Sequence, residues 1–555
     1  MLHNYKLADS LPSTTQSTQL GILIGNDYYN DILLNDRREI KSGLYVIKSK
    51  FGWMLSGRIN KNDGSHYYME NSMFVMTHSQ TKLLPELQQI CSPDDSLKTP
   101  PNIEDFWKLE TIGVTPPKDE KDDDAIMEQF KQTVTKVNGR YQVKWPWRDK
   151  DSIIPENYQL CIGRLKSLQK RLNSDPELFQ KYDEIIKNQE DNGMIEAVNE
   201  QTEQGEKRHY IPHHAVFKPE SHTTKIRIVY DASAKSKKTN PSLNECLYRG
   251  PVILEDLCGL LIRFRTKRIG IIADIEKAFL QVEVQPKERD VTRFLWLKNI
   301  NLPVIKSNII TYRFTRIPFG ITSSPFLLGA TIKHHLESDV ALKNVSESIY
   351  VDNLVTGVNS VEEAIQLHQS CTDKFKEISM NIREWKSNSN QVNKHFKDKQ
   401  ADKSTIKVLG LQWDTMEDTM AVAAQKFEQR VHPTTKREVL ATIASIFDPL
   451  GYLSPVTMKM RLFLKEMWNK EKDWDDLLTQ EEIEEWKQIA KNTNGIQSIK
   501  IPRYIGNTNT KTQQLVCFCD ASKQAYATAI YLRTEEGGVT KSNLIFSKSR
   551  LHLRR

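Results

Sequence analysis

Two acidic residues stand where a strand end or a hairpin turn would hold a carboxylate rigidly. An apolar run that begins near residue 269 predicts a strand with Asp274 at its end. Two further apolar runs flank Asp352 and Asn353, a pair suited to the positive φ of a tight hairpin turn. Nucleotidyl transfer needs carboxylates that converge from different strands on two divalent cations about 3.5–4 Å apart. Asp274 and Asp352 are therefore candidate metal ligands, although each feature alone is more often structural.

The surrounding pattern alternates between short strands and amphipathic helices. This alternation, between about residues 155 and 430, indicates α+β or α/β layers. One helix is predicted over residues 361–385, because apolar residues recur there at helical spacing. Those residues are Ala364, Leu367, Cys371, Phe375, Ile378 and Ile382. Residues 435–468 have a second helical pattern, which Asp448 and Pro449 interrupt.

The two ends of the chain are β-rich. Short strands are predicted at residues 21–27, 45–47 and 51–57, and a last β-rich piece starts near Gln514. Residues 79–124 are rich in Pro, Asp and Lys, including the acidic run at 121–124, and predict a linker. A chain of 555 residues is too long for one hydrophobic core, so three or more domains are expected.

Charge and cysteine content bound the class of protein. Residues 207–268 contain 13 Lys or Arg and five Asp or Glu, an excess that suits phosphate backbones, with a solvated positive face as the alternative. The seven cysteines include no Cys-x-x-Cys pair, which favours reduced intracellular thiols. The uncharged stretch 317–332 is shorter than the roughly 20 residues of a membrane helix. We expect a cytoplasmic protein without a membrane partner.

Six ordered blocks within residues 205–470 resemble the reverse transcriptase of BEL/Pao-type LTR retrotransposons. The blocks are 225–233, 242–244, 273–281, 317–326, 350–353 and 409–411. This resemblance implies an α+β right-hand polymerase of fingers, palm and thumb. It implies an RNA-directed DNA polymerase that acts on an RNA or DNA template–primer with deoxynucleoside triphosphates. Gag-like particle components are further implied partners, and virus-like particles in the cytoplasm are the implied location.

The resemblance also implies roles for individual residues. Asp274 and Asp352 would bind two Mg²⁺ ions, with Mn²⁺ as an alternative, and the carbonyl of Ile275 would complete the triphosphate-side metal. Phe279 would exclude a ribose 2′-hydroxyl, with a core Phe as the alternative. Lys386 would protonate the departing pyrophosphate, with a surface lysine as an equal alternative. The other implied substrate-binding residues are Lys225, Arg227, Gln281, Pro318, Phe319 and Gly320.

Asn353 departs from the family pattern, which usually has a second Asp at this position. The amide keeps a carbonyl ligand but removes one negative charge, so reduced or metal-shifted activity is expected. The competing hypothesis is a remnant that binds nucleic acid without polymerising. A processing peptidase is disfavoured, because the chain contains no Asp-Thr-Gly or Asp-Ser-Gly.

Five domains are predicted in order. Residues 1–78 resemble the C-terminal part of a retropepsin-like domain, 79–170 are a linker and helical lead-in, and 171–430 are the reverse transcriptase. Residues 431–510 resemble a connection region known as the Pao peptidase family. Residues 511–555, with Asp520, resemble the start of a ribonuclease H domain. Neither protease nor ribonuclease H activity is expected, since the sequence shows neither complete set of acidic residues.

Overall fold

The structure of the protein is a computed structural model, and the chain divides into two compact units, residues 1–102 and 103–555. The described residues are 33–41, 44–50, 52–57, 120–149, 151, 153–199, 206–217, 226–337, 339, 342–396, 404–423, 432–470, 472–491, 493, 495–496, 499–506, 512–536 and 539–552. None of the helices within these ranges is long and apolar enough to cross a membrane.

The strands and helices are numbered in chain order. The strands are β1 Leu33–Lys41, β2 Leu44–Ser49, β3 Gly52–Gly57, β4 Thr135–Val137, β5 Arg140–Val143, β6 Ile195–Ala197, β7 His213–Phe217, β8 Ile226–Tyr230, β9 Ile269–Ile275, β10 Glu283–Val284, β11 Arg293–Leu297, β12 Ile309–Phe314, β13 Ile349–Tyr350, β14 Asn353–Val358, β15 Ile382–Ser387, β16 Thr405–Val408, β17 Leu411–Asp414, β18 Thr419–Val422, β19 Ile501–Pro502, β20 Thr512–Ala521, β21 Ala525–Glu536 and β22 Val539–Leu551. The α-helices are α1 Glu120–Thr133, α2 Tyr158–Leu172, α3 Pro176–Asp191, α4 Leu243–Cys246, α5 Leu257–Thr266, α6 Ser324–Leu336, α7 Lys343–Ser346, α8 Val361–Lys376, α9 Asn390–Phe396, α10 Lys436–Ala444, α11 Ser454–Asn469 and α12 Gln480–Lys491. Short 3₁₀ helices span Ala278–Gln281, Pro286–Thr292 and Lys306–Asn308.

The first unit contains the antiparallel sheet β1-β2-β3. The strands predicted at residues 45–47 and 51–57 are confirmed by β2 and β3, whereas residues 21–27 lie outside the described ranges. The retropepsin-like interpretation of this region stays a prediction.

The second unit is built from helices and small, mostly antiparallel sheets, and the predicted α+β class is confirmed. Its central sheet has the order β13-β14-β9-β15, in which β9 pairs with both neighbours in antiparallel fashion. The other sheets of this unit are β10-β5-β4, β11-β12-β6, β16-β17-β18-β19, β20-β21-β22 and β7-β8. The sheet β20-β21-β22 confirms the predicted β-rich end.

The central strand β9 is almost entirely buried, which holds it in a fixed position. Ile271 and Ile275 are 0% and 1% exposed, and Phe264 of helix α5 packs behind the sheet. Burial of each such side chain stabilises the fold by about 1.5–3 kcal/mol. The alternation of the strand leaves Asp274 partly exposed at the end of β9.

Two expectations, one for a helix and one for a linker, need correction. The helix predicted over 361–385 ends at Lys376, the chain turns with Ser379 at φ 57°, and Ile382 begins strand β15. The acidic run at 121–124 lies in the first turn of α1 rather than in a linker, where negative charge interacts favourably with the helix dipole. The pattern over 435–468 forms two helices, α10 and α11, with Asp448 between them as predicted.

Candidate active site

A hairpin brings Asp352 to the edge of the central sheet beside β9. Strands β13 and β14 are joined by the two residues Val351 and Asp352, and Asn353 pairs directly with Asp274. The positive φ of this turn lies at Val351, at 59°, and not at the Asp-Asn pair as predicted. A β-branched residue in that conformation is strained, and such strain is typical of functional sites.

The tip of the hairpin is attached to β9 by its backbone. The amide of Ile275 donates to the carbonyl of Asp352 at 2.8 Å, and the side-chain amide of Asn353 donates to Oδ1 of Asp352 at 2.9 Å. Burial raises the pKa of Asp274 to about 6, and the charge of Asp352 adds to this rise. Burial likewise raises the pKa of Asp352. The two carboxylates therefore form a partly desolvated acidic pair, as the prediction of convergence requires.

A basic side chain on β15, which was not predicted from the sequence, lies beside this acidic pair. Nε of Arg383 is 4.0 Å from Oδ2 of Asp274, and Nη1 of Arg383 donates to Oε1 of Glu276 at 3.0 Å. Asn381 donates to the other oxygen of Glu276, also at 3.0 Å. The sequence offered one indication of this contact. Glu276 stands two residues after Asp274, so both carboxylates are expected on one face of the strand.

A β-bulge in β15 determines where Lys386 lies. Arg383 pairs with Asp274 and Lys386 pairs with Ile272, so three residue steps on β15 match two on β9. The bulge contains Glu384 at φ 57°. Because Ile272 and Asp274 lie on one face of β9, the bulge brings the partly exposed Lys386 to that same face.

The predicted substrate-side aromatic residues also meet. The rings of Phe279 and Phe319 have centroids 4.5 Å apart at an interplanar angle of 53°. Phe279 is 6% exposed and Phe319 is 53% exposed, so one ring lies beneath the surface and the other covers it. Pro318 is buried and accepts from the hydroxyl of Ser324, while Gly320 is exposed.

The remaining predicted substrate-binding residues are Gln281, Arg227 and Lys225. The amide group of Gln281 is occupied, since it donates to the carbonyl of Glu276 at 3.0 Å and accepts from Arg140 at 2.9 Å. Arg227 is an exposed residue of β8, opposite Val216. Lys225 lies outside the described residues.

Two family models match this chain. Residues 218–413 match the model described as reverse transcriptase (RNA-dependent DNA polymerase), and residues 435–555 match the Pao retrotransposon-like RNaseH-like domain. The chain thus contains a region that matches the reverse transcriptase family, followed by a region that matches the RNaseH-like domain of Pao retrotransposons. The acidic pair of Asp274 and Asp352 falls within this reverse transcriptase domain. No curated protein matches the chain.

Solved structures similar to this chain include two complexes of a foamy viral protease-reverse transcriptase. The complex with an RNA/DNA hybrid is 13% identical, with a TM-score of 0.44, and the match covers 83% of this chain and 54% of that chain. The complex with double-stranded DNA is 14% identical, with a TM-score of 0.46, and covers 83% of both chains. The chain thus spans about half the length of the first of these structures.

The acidic pair is chemically suited to divalent cations, which reverse transcriptases generally use. Within the described ranges, no group of three or more His, Cys, Asp or Glu side chains is arranged to hold a metal ion. Mg²⁺ commonly binds through one or two carboxylates, with water and substrate phosphates as its other ligands. The two partly buried carboxylates of Asp274 and Asp352 fit this pattern, because a cation would relieve their mutual repulsion.

Asp520, the acid predicted in the C-terminal region, is an exposed residue of β20. Its Oδ1 accepts from the backbone amide of Ala521 at 2.9 Å. A single family model covers residues 435–555, whereas two domains with a boundary at residue 510 are predicted from the sequence. That boundary stays a prediction.

Proposed function

We propose that the chain catalyses RNA-directed DNA synthesis, with Asp274 and Asp352 as the metal-binding carboxylates. The observation that carries the proposal is the pairing of Asn353 with Asp274, together with the backbone hydrogen bond from Ile275 to Asp352. This pairing supports convergence of two acids from different strands, which nucleotidyl transfer requires. Both acids lie within the region that matches the reverse transcriptase family.

Asp274, Asp352 and the carbonyl of Ile275 would hold the ions. When bound, two Mg²⁺ ions would supply activation of the primer 3′-hydroxyl and charge neutralisation at the triphosphate. Lys386 would give a proton to the departing pyrophosphate, and its place on the face of Asp274 supports this role. Arg227 and Lys225 would neutralise the triphosphate.

The substrate side would select the nucleotide by shape. Phe279 would exclude a ribose 2′-hydroxyl, and Pro318, Phe319 and Gly320 would support the nascent base pair. Gln281 is proposed to act on substrate through the 3₁₀ helix that it closes, since its amide already bonds Arg140. The implied partners are an RNA or DNA template–primer, deoxynucleoside triphosphates and Gag-like particle components, with the cytoplasm as the compartment.

Because of Asn353, we expect the polymerase activity of this chain to be weakened. Its amide leaves the site with one negative charge fewer than a second Asp would give. A remnant that binds nucleic acid without polymerising is the second candidate, and Asn353 is the observation that favours it. Neither proteolysis nor ribonuclease H cleavage is proposed for this chain.

Primer extension on poly(rA)/oligo(dT) with the purified chain, in Mg²⁺ and in Mn²⁺, tests the proposal. Asp352→Ala is expected to abolish extension, and Asn353→Asp is expected to increase it. Asp414→Ala is a matched control, since Asp414 is a similarly half-buried residue beside a hairpin turn in another sheet. It should extend primers as the native chain does.

One result would contradict the proposed site, and another would contradict the proposed activity. Extension that survives in Asp352→Ala would remove that residue from the site. Absence of extension by both the native chain and Asn353→Asp, with template still bound, would instead support the nucleic-acid-binding remnant.

A further inference from the structure

The loop over residues 318–322 carries an exposed aromatic ring against a buried one. Phe319 is 53% exposed, and its ring covers that of Phe279 at a centroid distance of 4.5 Å. Phe279 belongs to the 3₁₀ helix Ala278–Gln281, which closely follows Asp274 at the end of β9. A displacement of the loop would therefore be transmitted to the ring of Phe279 by direct contact.

The side chain of Asn244, in helix α4, makes hydrogen bonds to two residues of this loop. Nδ2 of Asn244 donates to the carbonyl of Gly320 at 3.1 Å, and Oδ1 accepts from the amide of Thr322 at 2.8 Å. Nδ2 also donates to the hydroxyl of Ser233 at 2.8 Å, and the backbone amide of Asn244 bonds the carbonyl of Ala232 at 3.1 Å. The Asn244 amide thus joins the loop to the chain segment that follows β8.

Gly320 is a second point at which this loop lies close to a neighbouring segment. Its φ is +95°, and a Cβ at this position would be 2.3 Å from the carbonyl oxygen of Tyr230. The loop backbone therefore lies directly against the end of β8, where only glycine fits. Together with Asn244, this contact leaves Phe319 little freedom to move away from Phe279.

We propose that Asn244 is a positioning residue for nucleotide selection, acting through the 318–322 loop and Phe319 on the ring of Phe279. The inference rests on the proposed polymerase function and deepens it, since it concerns deoxynucleoside against ribonucleoside triphosphates. Exclusion of one hydroxyl group by a ring works only when the ring cannot retreat, because a misplacement of about 1 Å changes rates by about 100-fold. Asn244 supplies that restraint without touching the nucleotide.

The test compares dGTP with GTP on a defined RNA template, with the full chain. The readout is the ratio of kcat/KM for dGTP to that for GTP. Asn244→Ala is expected to lower this ratio by about tenfold or more, mainly through a lower KM for GTP. Asn244→Asp should lower it as much, because a carboxylate cannot donate to Ser233 or Gly320. Asn240→Ala is the matched control, since Asn240 is also half-buried and its side-chain amide donates to the nearby hydroxyl of Ser236 at 3.0 Å.

A second pair of variants tests the route through the ring. Phe319→Ala should reproduce the fall in the ratio, while Phe319→Tyr, which retains the ring, should keep the ratio near that of the native chain. A ratio unchanged in Asn244→Ala would overturn the inference. An equal fall in Asn240→Ala would overturn it as well, since the effect would then be general loosening of the segment.

Failure of the polymerase proposal can be told apart from failure of this inference. On a dideoxy-terminated primer–template, the binding of dGTP and GTP can be measured in competition without any chemical step. A native chain that binds dGTP over GTP but does not extend primers would contradict the polymerase proposal alone. Loss of that binding preference in Asn244→Ala would still support the role of Asn244, and its retention would refute it.

Discussion

Replacement of Arg503 by Met is expected to destabilise the second unit by about 3–5 kcal/mol, because it breaks a buried ion pair. The side chain of Arg503 is 0% exposed, and that of Asp418 is 21% exposed. The two groups form a bidentate pair, with Nε to Oδ1 at 2.7 Å and Nη2 to Oδ2 at 2.8 Å. Such a pair is charge-assisted at both contacts.

The Arg503 guanidinium also makes hydrogen bonds to three backbone carbonyls, and these determine how much unfolding free energy the substitution removes. Its nitrogen atoms donate to the carbonyls of Phe264, Lys267 and Arg268 at 2.7–2.8 Å. Met has a similar length, so the cavity left would be small. The cost therefore comes from the hydrogen bonds lost at three carbonyls, of which that of Arg268 keeps a second donor in Asn388, and from a carboxylate without its counter-charge.

Arg437 offers a control with the same geometry at the surface. It pairs with Asp475 at 2.7 and 2.9 Å, but the two side chains are 60% and 74% exposed. Arg437→Met is expected to cost only about 0–1 kcal/mol, since water screens the pair. Urea unfolding followed by tryptophan fluorescence would compare the two variants. Equal losses of unfolding free energy, or a loss below about 1 kcal/mol for Arg503→Met, would refute the argument from burial.

Three further predictions concern the active site and its loop. Asn353→Asp should raise primer extension in Mg²⁺ severalfold, and an unchanged rate would show that the missing charge is not limiting. Asp274→Asn should be more stable than the native chain in EDTA by about 1 kcal/mol above pH 6, after allowance for partial exposure. Because the pKa of Asp274 is raised to about 6 in the folded state, the stability of the native chain falls as the pH rises from about 4 to 6. The stability gained by Asp274→Asn should therefore vanish near pH 4. Thermal unfolding of both chains across this pH range would check it. Gly320→Ala should lose about 1–3 kcal/mol in urea unfolding, because its Cβ would meet the carbonyl of Tyr230 at φ +95°, and a smaller loss would mean that the loop yields.

The local part of the site was predictable because strand ends and hairpins leave short-range patterns. Asp274 does end a buried strand, and Asp352 does lie at a hairpin tip. The detailed conformation was not predictable from residue type. Asp-Asn suits a positive φ, but the hairpin has this φ at Val351, since pairing of Asn353 with Asp274 makes Asn353 the first residue of β14.

Contacts between residues that are far apart in the chain could not be predicted, because they produce no local sequence pattern. Arg383 reaches Glu276 across 107 positions, and Asn244 reaches Gly320 across 76. Sequence periodicity also misled near Arg383, because apolar residues continued the helical spacing beyond Lys376. Ile378 is buried in the turn after α8, and the bulge in β15 places the buried Ile382 and Trp385 three residues apart, a spacing that imitates a helix.

Asn353 alters the balance between stability and metal attraction at the acidic pair. Its amide donates to Asp352 at 2.9 Å, which stabilises the ionised carboxylate without any cation. An Asp at this position would replace the donor with a third negative charge beside two carboxylates whose pKa values are already raised. Asn353→Asp should therefore be less stable than the native chain in EDTA and gain more stability from added Mg²⁺. A variant that is less stable but gains no more from Mg²⁺ would show that Asn353 serves the fold alone.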